Sequence, residues 1–399
     1  MSPAIITTHS SSGDLRECIS CGQNLLNEIQ FPSSVFTVTS DCRPWTHPLR
    51  LAVCDTCGLV QSVIDDSWRT STREIYRQYD SYFQSSLKDQ LTFGQGEIGS
   101  RTQVFIKAVL TAVSLPVRSS VLDFGCGSGN VLRTLSSLRD DLILDGYDLD
   151  SRVKSQLIGI PNFRHLHSEL LPAAEKYDLI VLSHTLEHFE SPAKTLQELS
   201  GHLTDSGMLA IAVPDCSADP LKLTVADHCT HFSPAGLTHW LKTQGFLSHE
   251  LYPGQTSREC LVVATKGDFA QGHDGPLDSN WFQDAGNWLA TAAAQLKSLN
   301  RETLVGVFGT AIAGSWIVAQ EPELVDCFVD EDPSRSREFH SRPVFDLDSI
   351  PTNKSIIVPF FGDYERKLLS RLRLHRPDVR WVGLDELVQS RHRTNKAVS

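Results

Sequence analysis

The 399-residue sequence has little of what several broad classes of protein require. It holds no apolar run of the roughly 20 residues that a membrane-spanning helix needs. The longest uncharged stretch, Thr303 to Gln320, is interrupted by Gly306, Gly309 and Gly314, which suits a strand, a turn and a helix better than a membrane span. The opening MSPAIITTHSSSGD lacks the basic region and apolar core of a secretory signal, so a cytoplasmic location is expected. Excess positive charge is missing as well. Lys+Arg number 36 and Asp+Glu 48, and the formal charge of −12 argues against broad contact with nucleic acid or an anionic membrane. Charged residues make up only 21% and hydrophobic residues 40%, which excludes a disordered chain and leaves a globular one of two to three domains.

Cysteine is not scarce, and half of it is concentrated. Cys18, Cys21, Cys42, Cys54 and Cys57 fall in the first sixty residues, in a chain with no sign of export. Clustered thiols in a reduced compartment usually serve a metal or redox chemistry. Two knuckles match, Cys18-Ile-Ser-Cys21-Gly22 and Cys54-Asp-Thr-Cys57-Gly58. Each brings two thiolates to one cation, and two together complete a tetrahedron with no open position, so a structural zinc on Cys18, Cys21, Cys54 and Cys57 is expected. A redox C-x₂-C would need only one motif. Cys42 is left over as a packing residue. The flanks show no Lys/Arg cluster for nucleic acid. The tyrosine-rich segment from Arg73 to Ser86 reads as a helix packing on the next domain or as the wall of a cleft.

From Ser119 onward a short buried strand, Val121-Leu122-Asp123-Phe124, enters Gly125-Cys126-Gly127-Ser128-Gly129. A helix with Val131, Leu132, Leu135 and Leu138 on one face follows. Such a turn lets a ligand approach the backbone closely. Asp123 is unlike a dinucleotide fingerprint, and a carboxylate there can pair with a cationic amino-acid ligand. Asp148 closes the next strand, where an acid bonds ribose hydroxyls. Asp123, Gly125, Gly127, Gly129 and Asp148 together resemble the cofactor motif of class I S-adenosylmethionine (SAM)-dependent methyltransferases. Later segments keep that fold's order. They are a strand at Tyr177–Leu182, Ser-Pro helix starts at Ser191 and Ser233, a strand at Gly207–Pro214, and a hairpin of Phe246–Tyr252 with Glu259–Thr265. The expected class is therefore α/β, a doubly wound Rossmann-like sheet with an antiparallel terminal hairpin, an N-terminal zinc module and a smaller C-terminal α/β domain.

In the last third, residues 267 to about 290 read as a linker passing into a helix. A strand at Thr303–Phe308 opens into the Gly309–Gly314 turn, a second at Val325–Val329 ends in Asp330-Glu331-Asp332-Pro333, and others follow near Ile356–Pro359 and Val379–Val382. This second α/β unit suits either the nucleotide portion of a substrate or a scaffold that closes the cleft. Arg391 to Lys396 reads as a solvated basic tail.

The three parts together resemble the sugar C-methyltransferase family of deoxysugar biosynthesis. The resemblance rests on Cys54 to Gln61 after Pro48-Leu49, on Tyr76, Tyr79 and Tyr82, on Asp123 to Gly129, on Leu186-Glu187-His188, and on the Gly309 turn with its acidic strand end. It implies a zinc module and linker helix over 1–85, a SAM-dependent methyltransferase domain over 86–266 and a Rossmann-like domain over 267–399. It also implies SAM and structural Zn²⁺ as cofactors, and a nucleotide sugar as partner, with no nucleic acid or membrane. A monomer or homodimer is expected. In the implied reaction a base removes the C3 proton beside a 4-keto group, and the enolate attacks the sulfonium methyl. Histidine suits the base, and His184, His188, His228 and His231 are the candidates. His188 matches the histidine after the fourth strand. Asp227-His228 falls where the family has Glu-His, with Asp227 placed to orient the neighbouring imidazole. Val225 replaces the family's tyrosine, and Ala226 to Ser233 resembles a wider group of methyltransferases with varied substrates. Methyl transfer to oxygen or nitrogen of another metabolite, an RNA methyltransferase and a non-catalytic binding protein remain alternatives.

Overall fold

A computed structural model describes residues 17–23, 26–29, 31–79, 91–94, 97–251, 258–267, 280–299, 305–332, 337–351 and 354–396. Tyr82, Tyr252, Pro333 and most of the expected linker, 268–279, lie outside them. Strand β1 (Ser120–Phe124) runs through the middle of a seven-stranded sheet with β2 (Ile143–Tyr147), β3 (Phe163–His167), β4 (Tyr177–Ser183), β5 (Leu203–Pro214), β6 (Phe246–Glu250) and β7 (Glu259–Lys266). The order across the sheet is β3-β2-β1-β4-β5-β7-β6, and β7 alone runs against the rest. This is the class I methyltransferase arrangement. Leu179, Ile180, Val181 and Leu182 are all fully buried, the continuous apolar run of a parallel strand covered on both faces. β3 went unread in the sequence because it is a partly exposed edge strand, Phe-Arg-His-Leu-His, with no apolar run. The Ser233 hydroxyl accepts the Gly236 N–H at 3.2 Å and caps the helix Pro234–Thr243, whereas Ser191 precedes the helix Pro192–Gly201 without a capping bond from its side chain.

The N-terminal strands Leu26–Ile29, Leu51–Cys54 and Val60–Ser62 form an antiparallel sheet whose fourth strand, Thr230–His231, comes from the segment after β5. That segment binds the N-terminal part again where Val225 bridges Val38 and the Ala226 N–H donates to the Val38 carbonyl at 2.7 Å. The cysteine knuckles rest on the central unit, with Trp240 Nε1 donating to the Ser20 hydroxyl between Cys18 and Cys21.

The C-terminal unit is a second, mostly parallel sheet. Its order is Glu338–Phe339, Arg342–Phe345, Val325–Val329, Val305–Phe308, Ser355–Val358 and Arg380–Gly383. Arg342–Phe345 was hidden by its arginine and proline. The basic run Arg391–Lys396 is not a detached tail; it finishes the helix Leu384–Lys396.

The uncharged stretch ending at Gln320 finds its explanation here. Helix Ile312–Gln320 is buried almost all round, as a helix without a polar face must be. Trp316 Nε1 donates to the Phe36 carbonyl at 3.1 Å, and Gln320 takes the Phe36 N–H at 3.2 Å while returning its own N–H to that carbonyl at 3.3 Å. Val35, Val38 and Leu51, Leu221 and Leu223, and Trp288, Trp316 and Ile317 share one core, so first, middle and last parts of the chain pack as one body. Among the described residues no helix is long and apolar enough to cross a membrane.

Replacing the fully buried Trp316 by alanine removes core volume and leaves the Phe36 carbonyl with one donor fewer. A loss of about 3–5 kcal/mol is expected in denaturant unfolding. Amide exchange over Phe36–Val38 should accelerate with it, because the helix and that strand are one packed unit.

Candidate active site

β1 delivers Asp123, 2% exposed, to the carboxyl end of the sheet. The chain then turns through Gly125, Gly127 and Gly129 at φ of +86°, +47° and +85°. A Cβ on Gly125 would come within 2.5 Å of Thr185, so glycine is required there by space as well as by conformation. The N–H groups of Gly125 and Cys126 bind the Tyr147 carbonyl at 2.7 and 2.9 Å, and the Gly127 N–H binds Asp148 Oδ2 at 2.8 Å. Asp148 Oδ1 also accepts from the Asp150 N–H at 2.9 Å. Asp123 Oδ2 is buried without any hydrogen-bond partner. Burial, and then the charge of Asp148, push the Asp123 pKa up to about 8. A buried carboxyl with an orphaned oxygen beside a glycine turn is matched to a cationic ligand group, such as the ammonium of SAM.

Across a cavity of about 360 Å³ from this turn stand His184, Glu187, His188 and His228. Ser40 and Tyr79 enter it from the N-terminal part and Ile312 from the C-terminal helix. The histidines are in different states. His184 adopts a left-handed φ of +53°, with Nε2 2.9 Å from Glu259 Oε1 and Nδ1 3.5 Å from Glu187 Oε1. Burial and Arg101 oppose its charge, but the two carboxylates outweigh them and raise its pKa. Burial works against the Glu259 carboxylate, yet the His184 and Arg101 charges hold it at about 2. His184 is thus committed to an ion-pair network.

His228 is the opposite case. Burial, reinforced by the neighbouring His188, His231 and Lys222, keeps it well below the usual range and therefore neutral. Its ring meets that of His188 edge to face, centroids 4.7 Å apart. His188 Nδ1 lies 3.2 Å from the Asp227 carbonyl oxygen, 3.5 Å from Asp227 Oδ2 and 3.1 Å from the Tyr76 hydroxyl. A carbonyl oxygen only accepts, so Nδ1 carries a proton, and in the neutral ring the lone pair is then on Nε2.

The four sulfurs of the knuckles gather within 4.8 Å of one another. Cys18 Sγ to Cys57 Sγ is 3.7 Å and Cys21 Sγ to Cys54 Sγ 3.6 Å, close to the ~3.8 Å edge of a tetrahedron with metal–sulfur bonds of about 2.3 Å. The knuckles are superposable in outline. Gly22 and Gly58 both have φ of +69°, and their N–H groups return to the Cys18 and Cys54 carbonyls at 2.9 and 2.8 Å. None of the four is in a disulfide.

The C-terminal glycine turn is built on the same plan as the turn at Gly125, with Val307 where that turn has Asp123. The Gly309 N–H, at a φ of +92°, binds the Val329 carbonyl at 2.7 Å, and the Thr310 N–H binds Asp330 Oδ2 at 2.8 Å.

A family model described as a methyltransferase domain matches residues 99–251, the part that holds the glycine turn and the histidines. Residues 99–251 are a methyltransferase domain. A carboxy-S-adenosyl-L-methionine synthase from Campylobacter curvus is 26% identical over 111 residues, covering 26% of this chain and 47% of its own length. The chain thus spans about half of the curated relative it matches. Among solved structures, the plantazolicin methyltransferase BpumL with SAH overlaps 42% of this chain and 82% of its own at 14% identity and a TM-score of 0.36. The DhpI–SAH complex overlaps 51% and 94% at 16% identity and 0.34. Human N-acetylserotonin methyltransferase with SAM overlaps 40% and 51% at 17% identity and 0.35. None of these partial overlaps bears on acceptor or chemistry.

Within the methyltransferase domain, Asp123, Gly125, Gly127, Asp148, His184, His188 and His228 line one cavity. Gly129 instead starts the helix Asn130–Leu138. His231 lies away from that lining, 2% exposed, its Nδ1 4.0 Å from Cys216 Sγ; burial takes it down to about 3. Asp227, expected to orient its neighbour His228, turns to His188 instead and holds the Ser40 N–H at 2.8 Å. Ala226 and Asp227 form a turn, closed by the His228 N–H on the Val225 carbonyl at 3.3 Å, and the side chains of Asp227 and His228 leave it toward different partners. The sequence had not singled out Glu187, Glu259, Arg101 or Lys222 as site residues. Glu259 offered a signal, as a charge opening the apolar strand β7, and Glu187 lay inside a quoted motif; the two cations gave none.

Affinity for SAM, measured by calorimetry, should climb by up to about tenfold per pH unit toward a maximum near pH 8. An Asp123 that pairs with the ligand's ammonium has to give up its proton first, and the ammonium begins to lose its own proton there. Asp123→Asn flattens the rise, and Gly125→Ala abolishes binding at every pH.

Proposed function

We propose that the protein is a SAM-dependent C-methyltransferase that methylates C3 of a nucleotide-linked 4-keto-deoxyhexose. The observation that carries the reading is the single cavity in which the cofactor turn faces His188 and His228, with the N-terminal part and the second glycine-turn unit supplying further walls. The cofactor supplies an electrophilic methyl group on a sulfonium sulfur. Asp123 pairs with its ammonium and Asp148 with its ribose, while Gly125 and Gly127 let it approach the backbone. Across the cavity, His188 with its Nε2 lone pair and the neutral His228 are the groups able to take the C3 proton, a task worth roughly 10²–10⁴-fold. His184 serves as a fixed charge. Lys222, partly buried on the cavity wall, faces an anionic portion of the acceptor. The Gly309 turn suits the nucleotide, since Ile312 just beyond it reaches the same cavity. Cys18, Cys21, Cys54 and Cys57 hold a structural Zn²⁺. Val225, standing on the cavity wall where the family has tyrosine, favours a second reading in which the acceptor atom is oxygen or nitrogen.

Incubation of the protein with a panel of nucleotide 4-keto-6-deoxyhexoses in D₂O, with and without SAM, separates the two. The carbon reading expects C3 deuteration without SAM and a methylated product with it, both lost in His188→Ala or His228→Ala. Absence of exchange and of methylation across the panel, with SAM binding intact, would sink the sugar reading. For the zinc, metal analysis should find one equivalent in the wild type and much less in Cys57→Ser, with a fall of several degrees in Tm.

A further inference from the structure

Glu187 is 1% exposed, yet its Oε2 has no hydrogen-bond partner. A buried carboxylate oxygen in that state is costly unless something else occupies it. His188 and His228 share its wall of the cavity, and one donor atom from each of the three residues lies within 4.8 Å of the others. His188 already has the arrangement typical of a ligating imidazole. Nδ1 is turned onto the Asp227 carbonyl at 3.2 Å, which leaves Nε2 with its lone pair.

We propose that Glu187, His188 and His228 form a second metal centre, distinct from the cysteine cluster, that takes one divalent first-row transition metal ion. Two imidazoles and one carboxylate are the donor set of Fe²⁺ and Zn²⁺ sites that keep positions open for an exogenous ligand. The set rejects Ca²⁺ and Mg²⁺, which ask for oxygen donors. Bonds of about 2.0–2.2 Å place donor atoms roughly 3–4 Å apart, so side-chain torsions need draw the three together by no more than about 1–2 Å. The remaining positions belong to the cavity, where an oxygen of the acceptor binds. A carbonyl oxygen so held acidifies the adjacent C–H through the ion. That role rests on the keto-acceptor reading; the metal site does not. In the loaded protein His188 and His228 would be ligands, so the C3 proton would pass to a hydroxide at another open position of the ion, and the two histidines are free bases only without it.

The test titrates Co²⁺ into the full chain with its cysteine cluster filled with zinc and with no acceptor present. One further equivalent is expected, with the weak visible bands of nitrogen and oxygen ligation and without thiolate charge-transfer absorption. Glu187→Gln and His228→Asn should each weaken it by at least about tenfold, with zinc content and SAM affinity unchanged. His188→Asn, at the partly exposed ligand, replaces either buried variant that loses SAM binding. Uptake of cobalt only by displacement of zinc, or a second equivalent that survives all folded variants, overturns the proposal. C3 deuteration without a second equivalent rejects the metal and keeps the sugar reading, whereas a second equivalent without deuteration does the reverse.

Discussion

Thr230 and His231 hydrogen-bond as a strand to Gln61 and Val60, and the placement of the cavity's far wall follows from that pairing. The ladder continues past it, with the Ser62 N–H on the Cys229 carbonyl at 3.0 Å and the Ser62 hydroxyl on the His228 carbonyl at 2.7 Å. The backbone that carries His228 is therefore held from two sides. The Cys229 N–H donates to the Glu187 carbonyl at 2.6 Å beyond β4, and opposite it lies a strand whose other neighbour ends in Cys54, at the turn the cysteine cluster closes. A cation bound there would stiffen the knuckle and, through it, the strand that helps to fix His228. No sulfur needs to touch a substrate for the cluster to matter to the site.

Electrostatics divide the cavity. On the cofactor side, Asp123 is buried beside another carboxylate and is pushed toward neutrality, while Glu259, nearly as enclosed, faces His184 and Arg101 and stays ionised. The same side-chain chemistry is driven in opposite directions by what lies alongside. His184 and His228 show the same divergence between imidazoles. A site that must hold a cationic ligand at one end and keep neutral nitrogen lone pairs at the other needs this separation, because charges in a poorly solvated cavity reach each other readily.

The strands of the central sheet apart from β3, and the glycine turn, were legible in the sequence because each depends on local signals: an apolar run, a glycine turn, an acid two residues before it; their order across the sheet followed only from the resemblance. β3 and Arg342–Phe345 were not, since a partly exposed or proline-bearing strand carries no apolar pattern. The histidines could be nominated as a group, but their separate states depend on Glu259, Arg101 and the Asp227 carbonyl, which reach them through folding rather than through spacing. The partnership of Asp227 with His188 instead of His228 is the plainest instance. The strand at Thr230–His231 was equally invisible, because two residues leave no period to detect.

The core shared by Val38, Leu223 and Trp316 has a consequence for how such a chain can change over generations. Units joined by linkers can be traded whole between genes, each bringing its own interior. Here the central and C-terminal units have cores of their own, but one further core belongs jointly to the beginning, middle and end of the chain. An incoming N-terminal or C-terminal segment would have to match the apolar contour of the other two at once. New specificity is therefore reached more readily by point substitution on the cavity wall than by recombination of parts.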